Sequence, residues 1–285
     1  MQPASTEVAA KRSSRRLRLL GRYLALSIGA LVVLIPIYLT VVNSLLVPSQ
    51  LAKQPPPFFP SHPQWHTYPD AWGSGHLGVY LRNSAVQSTI IVLGQLVTSV
   101  LAAFAFAFLE FPFKRTIFVV FLATLMVPFE VTITQNLNTV NALGWFNTFQ
   151  GLTVPFLATG FGTFLLRQNF LSLPPELREA SILDGYGNWR FLTRVVVPLA
   201  RPSIAALAVF SFLGAWNQYL WPLLVTGDDT KVKTVQIGLK QLAATQLDQI
   251  NVSLAGTVIA IAPLVVLLVI FQKQLVRSLT AGAVK

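Results

Sequence analysis

Six apolar runs divide the chain: residues 24–46, 85–109, 117–135, 149–166, 204–225 and 254–271. Roughly 20 mostly apolar residues carry a helix across the hydrocarbon core of a bilayer. These runs meet that length and nearly exclude charge, with Glu130 near one end of the third as the exception. Five of them hold a proline: Pro36, Pro128, Pro155, Pro222 and Pro263. Transmembrane helices tolerate proline because neighbouring groups satisfy the freed carbonyls. The pattern predicts an all-α membrane protein with six transmembrane helices. A basic segment precedes the first run, as in a signal peptide, but 23 apolar residues exceed a signal core of about 7–15. The first run is therefore read as a retained helix.

The polar connections are short, and two carry a helix of their own. Residues 47–84 hold Pro55, Pro56 and Pro57, then Trp65, Tyr68 and Trp72. An extended stretch followed by a short interfacial helix is expected there. Residues 226–251 are polar, with a short helix expected around 235–245. Residues 110–116 form a minimal turn, whereas 167–203 is long and patterned. The organisation expected is a basic, irregular tail over 1–22, a six-helix membrane domain over 23–278 and a tail over 279–285.

Within the long connection, Ser172 is a candidate cap, and Pro174 and Pro175 suit a helix start. Glu176 and Glu179 fall on the favourable side of the helix dipole. Leu177, Ala180, Ser181 and Asp184 share a face at i, i+3, i+4 and i+7. Gly185 and Gly187 break that helix, Asn188 is expected to cap a second, and Pro198 to end it. Two short helices at a sharp bend, over 172–200, are the expectation.

Charge gives the picture a direction. The net charge is +11, with 21 basic and 10 acidic residues. Basic residues gather in cytoplasmic loops of membrane proteins. With six spans, sixteen cations fall on one side: Lys11, Arg12, Arg15, Arg16, Arg18, Arg22, Lys114, Arg115, Arg167, Arg178, Arg190, Arg194, Arg201, Lys273, Arg277 and Lys285. Lys53, Arg82, Lys231, Lys233 and Lys240 fall on the other. Both termini and the long connection are thus expected in the cytoplasm. Scattered at segment ends, these cations build no basic face of the kind that binds nucleic acid.

The absence of cysteine excludes disulfides, thiolate metal sites and a cysteine nucleophile. The phosphate-cradling pattern Gly-x-x-x-x-Gly-Lys-Ser/Thr is missing, so the chain is not expected to hydrolyse a nucleotide. His62, His66 and His76 share one connection with prolines at poor ligand spacing, and no metal site is expected. Polar side chains within spans mark a substrate path or helix–helix contacts. Asn217, Gln218 and Tyr219, flanked by Trp216 and Trp221, are the leading path candidates, with Glu130 and Gln135 next. Gln95, Thr98 and Ser99 are further polar positions, and Thr98 and Ser99 read as helix contacts. Adjacent amides with aromatics suit a polyol.

The long connection also resembles the coupling loop of binding-protein-dependent ABC importer permeases. That motif runs Glu-Ala-Ala, three residues, Gly, nine residues, then Ile-x-Leu-Pro. Here it reads Glu179, Ala180, Ser181, then Gly185, then Val195, Val196, Val197, Pro198. The spacing is kept; Ser181, Val195 and Val197 replace Ala, Ile and Leu. Nearly the whole chain is similar to the carbohydrate-type permeases, the group of the smaller maltose permease subunit. Residues 126–131 (MVPFEV), 163–168 (TFLLRQ) and 216–224 (WNQYLWPLL) resemble the glycerol-3-phosphate permeases of that group. The resemblance implies a type I ABC importer permease fold and a coupling role for Glu179, Ala180, Ser181, Asp184, Gly185 and Pro198. It further implies ATPase contacts from the tail at Thr280, Gly282 and Lys285. The partners it implies are a second permease subunit, two copies of an ATPase that hold the ATP and Mg, and an extracytoplasmic solute-binding protein. The implied cargo is glycerol-3-phosphate or a glycerophosphodiester. No Lys or Arg lies centrally in any span, which keeps open a neutral disaccharide of the maltose or trehalose type. A membrane-embedded enzyme would need clusters of His, Asp or Glu within the spans, and a channel a pore helix with repeated polar faces; neither pattern occurs.

Overall fold

The computed structural model describes residues 4–227 and 230–280, with side chains over 19–227 and 230–274. Every regular element among them is helical. Helix α1 (Ala4–Ser44) carries the first span, α2 (Pro48–Leu51) and α3 (Thr67–Ser74) lie in the first connection, and α4 (Leu77–Phe108) is the second span. Helices α5 (Lys114–Ala123) and α6 (Phe129–Ala142) form the third, α7 (Phe149–Thr153) and α8 (Gly160–Leu171) the fourth. Helices α9 (Glu176–Leu183), α10 (Asn188–Phe191) and α11 (Val197–Leu199) fill the long connection. Helices α12 (Arg201–Trp216) and α13 (Leu220–Val225) correspond to the fifth run, α14 (Val235–Thr245) to the helix expected there, and α15 (Ile250–Thr280) to the sixth run.

Three stretches are continuous and apolar enough to cross a membrane: Leu19–Ser44, Leu77–Phe108 and Ile250–Gln274. The others are bent, and each bend has a local cause. Lys114–Met126 and Phe129–Ala142 meet at 96°. Pro128 lacks an N–H and pushes Val127 before it out of the helical region, so both adopt extended torsions. Phe149–Phe156 and Gly160–Leu171 meet at 44°, through a 3₁₀ turn holding Pro155 and an extended Thr159. Asn188–Leu199 and Arg201–Trp216 meet at 78°, at Ala200. Pro36 and Pro263 lie inside helices that stay continuous.

Three expectations change. Helix extends back to Ala4, so the basic segment is not an irregular tail. The second span begins at Leu77, eight residues before 85. The fifth run is interrupted at 217–219 between α12 and α13.

Helix α4 lies at the centre, packed along α8, α12 and α14, and α15 bridges α12, α1 and α3. Small residues let helices approach: an added Cβ on Gly162 of α8 would lie 2.4 Å from Ser99 Oγ of α4. Buried apolar clusters fill three regions. One joins α3, α4, α14 and α15 around Tyr80 and Trp216; one joins α4, α8 and 191–200 around Phe170 and Phe191; one surrounds Trp221. Helix α1 packs on α15 yet is largely uncovered, with only 6% of its apolar window buried. It is fastened at its far end, where Thr67 donates to the Ser44 carbonyl at 2.9 Å and Tyr38 to that of Phe58 at 2.7 Å.

Candidate functional site: a bent helical loop and a polar cleft

Ser172 closes α8 rather than opening α9: its hydroxyl donates to the Asn169 carbonyl at 2.7 Å. Pro175 takes the N-cap position of α9, with no side-chain cap. Along α9 the apolar side turns inward through Leu177 and Ser181; Ser181 is buried and donates to the Arg178 carbonyl at 2.7 Å. Glu179 and Ala180 face outward, and Ile182 and Leu183 are 59% and 89% exposed. The Glu179 carboxylate makes no hydrogen bond or ion pair among the described residues.

The end of α9 is a Schellman closure. Tyr186 N–H donates to the Ser181 carbonyl at 2.8 Å and Gly185 N–H to that of Ile182 at 3.0 Å. Asp184 is the C-cap and Gly185 holds φ +74, the left-handed torsion this closure requires. Gly187 is the extended N-cap of α10, so Asn188 is its first residue and not its cap. The Asn188 side chain instead accepts from the Arg178 guanidinium, which also lies 4.8 Å from the centre of the Phe191 ring. Sequence reading counted Arg178 only as a cation. The structure makes it the clamp between α9 and α10.

A π-helical turn, Leu192–Val196, follows. Leu192 and Val196 are buried beside Phe191, whose ring meets Phe104 and Phe108 of α4 at 6.2 and 5.2 Å. Pro198 does not end the helix; it lies within α11, and the turn comes at Ala200. Arg167 adds a tie beside the loop, donating from Nε to the Phe106 carbonyl at 3.2 Å, with its guanidinium 4.1 Å from the Phe118 ring centre. Of the tail, the side chain of Thr280 and all of Gly282 and Lys285 lie outside the described residues.

A second feature is a cleft of about 240 Å³, lined by Gln95 on α4, Thr159 and Phe161 at the start of α8, and Ser211, Gly214 and Gln218 on or after α12. Its polar groups are cross-linked. Ser211 Oγ donates to Gln95 Oε1 at 2.6 Å, Gln95 Nε2 to the Phe156 carbonyl at 2.8 Å, and Gln87 Nε2 to Gln218 Oε1 at 2.7 Å. Gln218 lines this cleft. Asn217 is exposed at the end of α12 and Tyr219 is half-buried, with Lys240 Nζ 6.0 Å from its ring centre. Trp216 is buried and donates to the Ala260 carbonyl at 3.2 Å, so it braces α12 against α15. Glu130 and Gln135 are exposed on α6 and do not line this cleft. Thr98 donates to the Leu157 carbonyl at 2.9 Å and Ser99 packs on Gly162, both helix contacts. Gln87 and Ser211 were not foreseen. Their signal was spacing: Gln87 and Gln95 are i and i+8 on α4, and Ser211 and Gln218 are seven apart.

Residues 95–281 match the family described as the binding-protein-dependent transport system inner membrane component. Curated relatives agree. The chain is 38% identical over 269 residues to the sn-glycerol-3-phosphate transport system permease protein UgpE of Agrobacterium fabrum, covering 90% of this chain and 94% of that one. It is 36% identical over 266 residues to the protein of that name in Brucella abortus and 34% over 265 to that in Yersinia pestis, with the same coverage. Among solved structures, the fold is similar to a chain of a bacterial ABC transporter involved in import of the acidic polysaccharide alginate. The TM-score is 0.77 at 21% identity, covering 91% of this chain and 97% of that one. A chain of the alginate transporter in complex with its pentasaccharide-bound periplasmic protein gives 0.65 at 15%, covering 94% and 96%.

Proposed function

The chain belongs to the family of binding-protein-dependent transport system inner membrane components, and we propose that it takes its drive from ATPase partners through the loop 176–199. It is a multi-pass inner-membrane permease of an ABC importer, a family of transporters rather than enzymes. In this reading both termini are cytoplasmic, and a second permease subunit completes the path. Two ATPase copies hold ATP and Mg, and an extracytoplasmic solute-binding protein delivers the cargo.

The observation that carries the coupling role is the shape of α9. It presents Ile182 and Leu183 outward beside Glu176 and Glu179, on a helix end closed by Gly185 and tied by Arg178 to Asn188 and Phe191. An apolar knob with flanking carboxylates suits a groove on a partner, since apolar surface rimmed by polar residues is the form that interaction sites take. Force on α9 passes to Phe191, and from there to Phe104 and Phe108 at the end of α4. ATPase closure would thereby rock the helices that line the cleft, the rigid-body route to alternating access.

For cargo, the relatives' names support sn-glycerol-3-phosphate, and the chemically allied glycerophosphodiesters belong to the same reading. One observation favours a second reading. The cleft offers two amides and two hydroxyls but no Lys or Arg, which suits the hydroxyls of a neutral disaccharide. On the first reading the phosphate is read by the binding protein or the second permease.

Reconstituted importer with Glu179→Ala or Gly185→Asp tests the coupling role. Cargo binding to the external protein should persist while cargo-stimulated ATP hydrolysis and uptake fall. Full coupling in both variants would sink it. A thermal-shift screen of the cognate binding protein against phosphate esters and disaccharides decides the cargo.

A further inference from the structure

We propose that the apolar groove between α4 and the segment 189–197 holds an acyl chain of an anionic membrane phospholipid, whose phosphate is held by Arg190 and Arg194. The groove is about 280 Å³ and its accessible wall is apolar throughout. Val97, Val100 and Leu101 form one side; Trp189, Leu192 and Val197 form the other. It contrasts with the Gln95–Gln218 cleft, where polar groups converge.

Depth fits an acyl chain. Positions 97–101 lie seven to eleven residues before Phe108, the end of α4. At 1.5 Å per residue that is roughly 10–17 Å from the helix end, which reaches from within one leaflet to about the midplane of a core about 30 Å thick. The segment Asn188–Leu199 turns 78° from Arg201–Trp216, so it runs across the helix ends rather than along them. Such a segment lies at the membrane surface, with Trp189, 67% exposed, in the aromatic-belt position.

Charge selects the occupant. Arg190 follows directly on Trp189 and Arg194 on Thr193, both of which line the groove. Arg201 stands three residues before Ile204 on α12, which also lines it, and residues three apart on an α-helix share a face. Each arginine therefore stands beside a groove residue, where a headgroup would meet its chain. All three are exposed, and none of their guanidinium groups makes a hydrogen bond or ion pair among the described residues. From 185 to 227 there is no acidic residue. An apolar helix of another subunit would fill the groove but leave these cations unmatched; a phosphodiester matches both. Since one wall is the loop segment itself, occupancy would set its distance from α4. The proposal rests on this end of the molecule meeting a membrane surface, not on the cargo.

Quenching of Trp189 fluorescence by brominated lipid tests it, in the full-length chain with its co-purifying subunits in detergent. The Trp189 component is the signal lost in Trp189→Phe. Brominated phosphatidylglycerol should quench that component at lower mole fraction than brominated phosphatidylcholine, by about fivefold for each arginine engaged. Unbrominated phosphatidylglycerol should relieve the quenching, and Arg190→Gln with Arg194→Gln should abolish the preference. Equal quenching by the two lipids would overturn the proposal. So would a Trp189 component that neither lipid quenches, the result expected if a partner subunit covers the groove. Because ATP hydrolysis is not the readout, failure here leaves the coupling reading standing, and failure of coupling leaves this test intact.

Discussion

Gly185 turns the loop by one torsion, and its surroundings make the consequence of substitution unusually clean. At φ +74 it has open space where a Cβ would go. A side chain there costs backbone strain and nothing else, about 1–2 kcal/mol for most L-residues and less for Asn. The expected order of cargo-stimulated ATPase is therefore Gly, then Asn, then Ala, with Val lowest because branching worsens the left-handed torsion. Equal activity across that series would mean the Schellman closure is not needed. Gly162 is the opposite case, limited by space rather than torsion. Gly162→Ala brings a Cβ to 2.4 Å from Ser99 Oγ and 2.8 Å from Thr159 Cγ2. Overpacking of this kind costs about 1–3 kcal/mol. The thermal midpoint of the purified protein should fall in Gly162→Ala and recover in part when Ser99→Ala is added, since one of the close contacts is then gone. No recovery would show that the α4–α8 contact adjusts elsewhere.

At the scale of elements, short helices survive here only by packing. Helices α7 and α13 have 5 and 6 residues, far below the length at which a helix is stable alone. Trp221 holds them together. Its indole N–H donates to the Gly151 carbonyl at 3.0 Å, and its ring meets Phe129 and Phe156 edge-on at 5.7 and 5.9 Å. Trp221→Phe keeps the ring contacts and loses the hydrogen bond; Trp221→Ala leaves a cavity worth about 3–5 kcal/mol. Thermal stability should drop modestly in the first and severely in the second, and similar losses in both would assign the effect to the hydrogen bond. The sequence disclosed these elements unevenly. The apolar runs and the helix at Val235–Thr245 follow from composition and period, which are local. The bends do not: Pro36, Pro128 and Pro263 look alike in the chain, yet only Pro128 breaks its helix. Caps were misplaced at Ser172 and Asn188 because a short polar side chain serves either end of a helix, and neighbours decide which. The pairing of Gln87 with Gln218, 131 residues apart, is a product of tertiary packing alone.

For the whole molecule, the orientation of the chain decides whether the bent loop can meet an ATPase at all. The charge bias places 176–199 with sixteen of the 21 basic residues, and a long exposed α1 gives no independent sign of which side is which. The native chain contains no cysteine, so single cysteines report position without background. Ser61 and Leu247 are exposed in the first and third connections of one face, and Ser172 is exposed at the start of the loop on the other. A membrane-impermeant maleimide added to intact spheroplasts should label Ser61→Cys and Leu247→Cys at once. Ser172→Cys should react only after the membrane is opened. Labelling of Ser172→Cys from outside would invert the molecule and remove the loop from ATP. Labelling of Ser61→Cys without Leu247→Cys would mean that the bent stretches do not pair into the six spans on which the charge count depends. With the expected pattern, the knob at Ile182 and Leu183 faces the compartment that holds ATP, and the Gln95–Gln218 cleft lies between that compartment and the solute-binding protein.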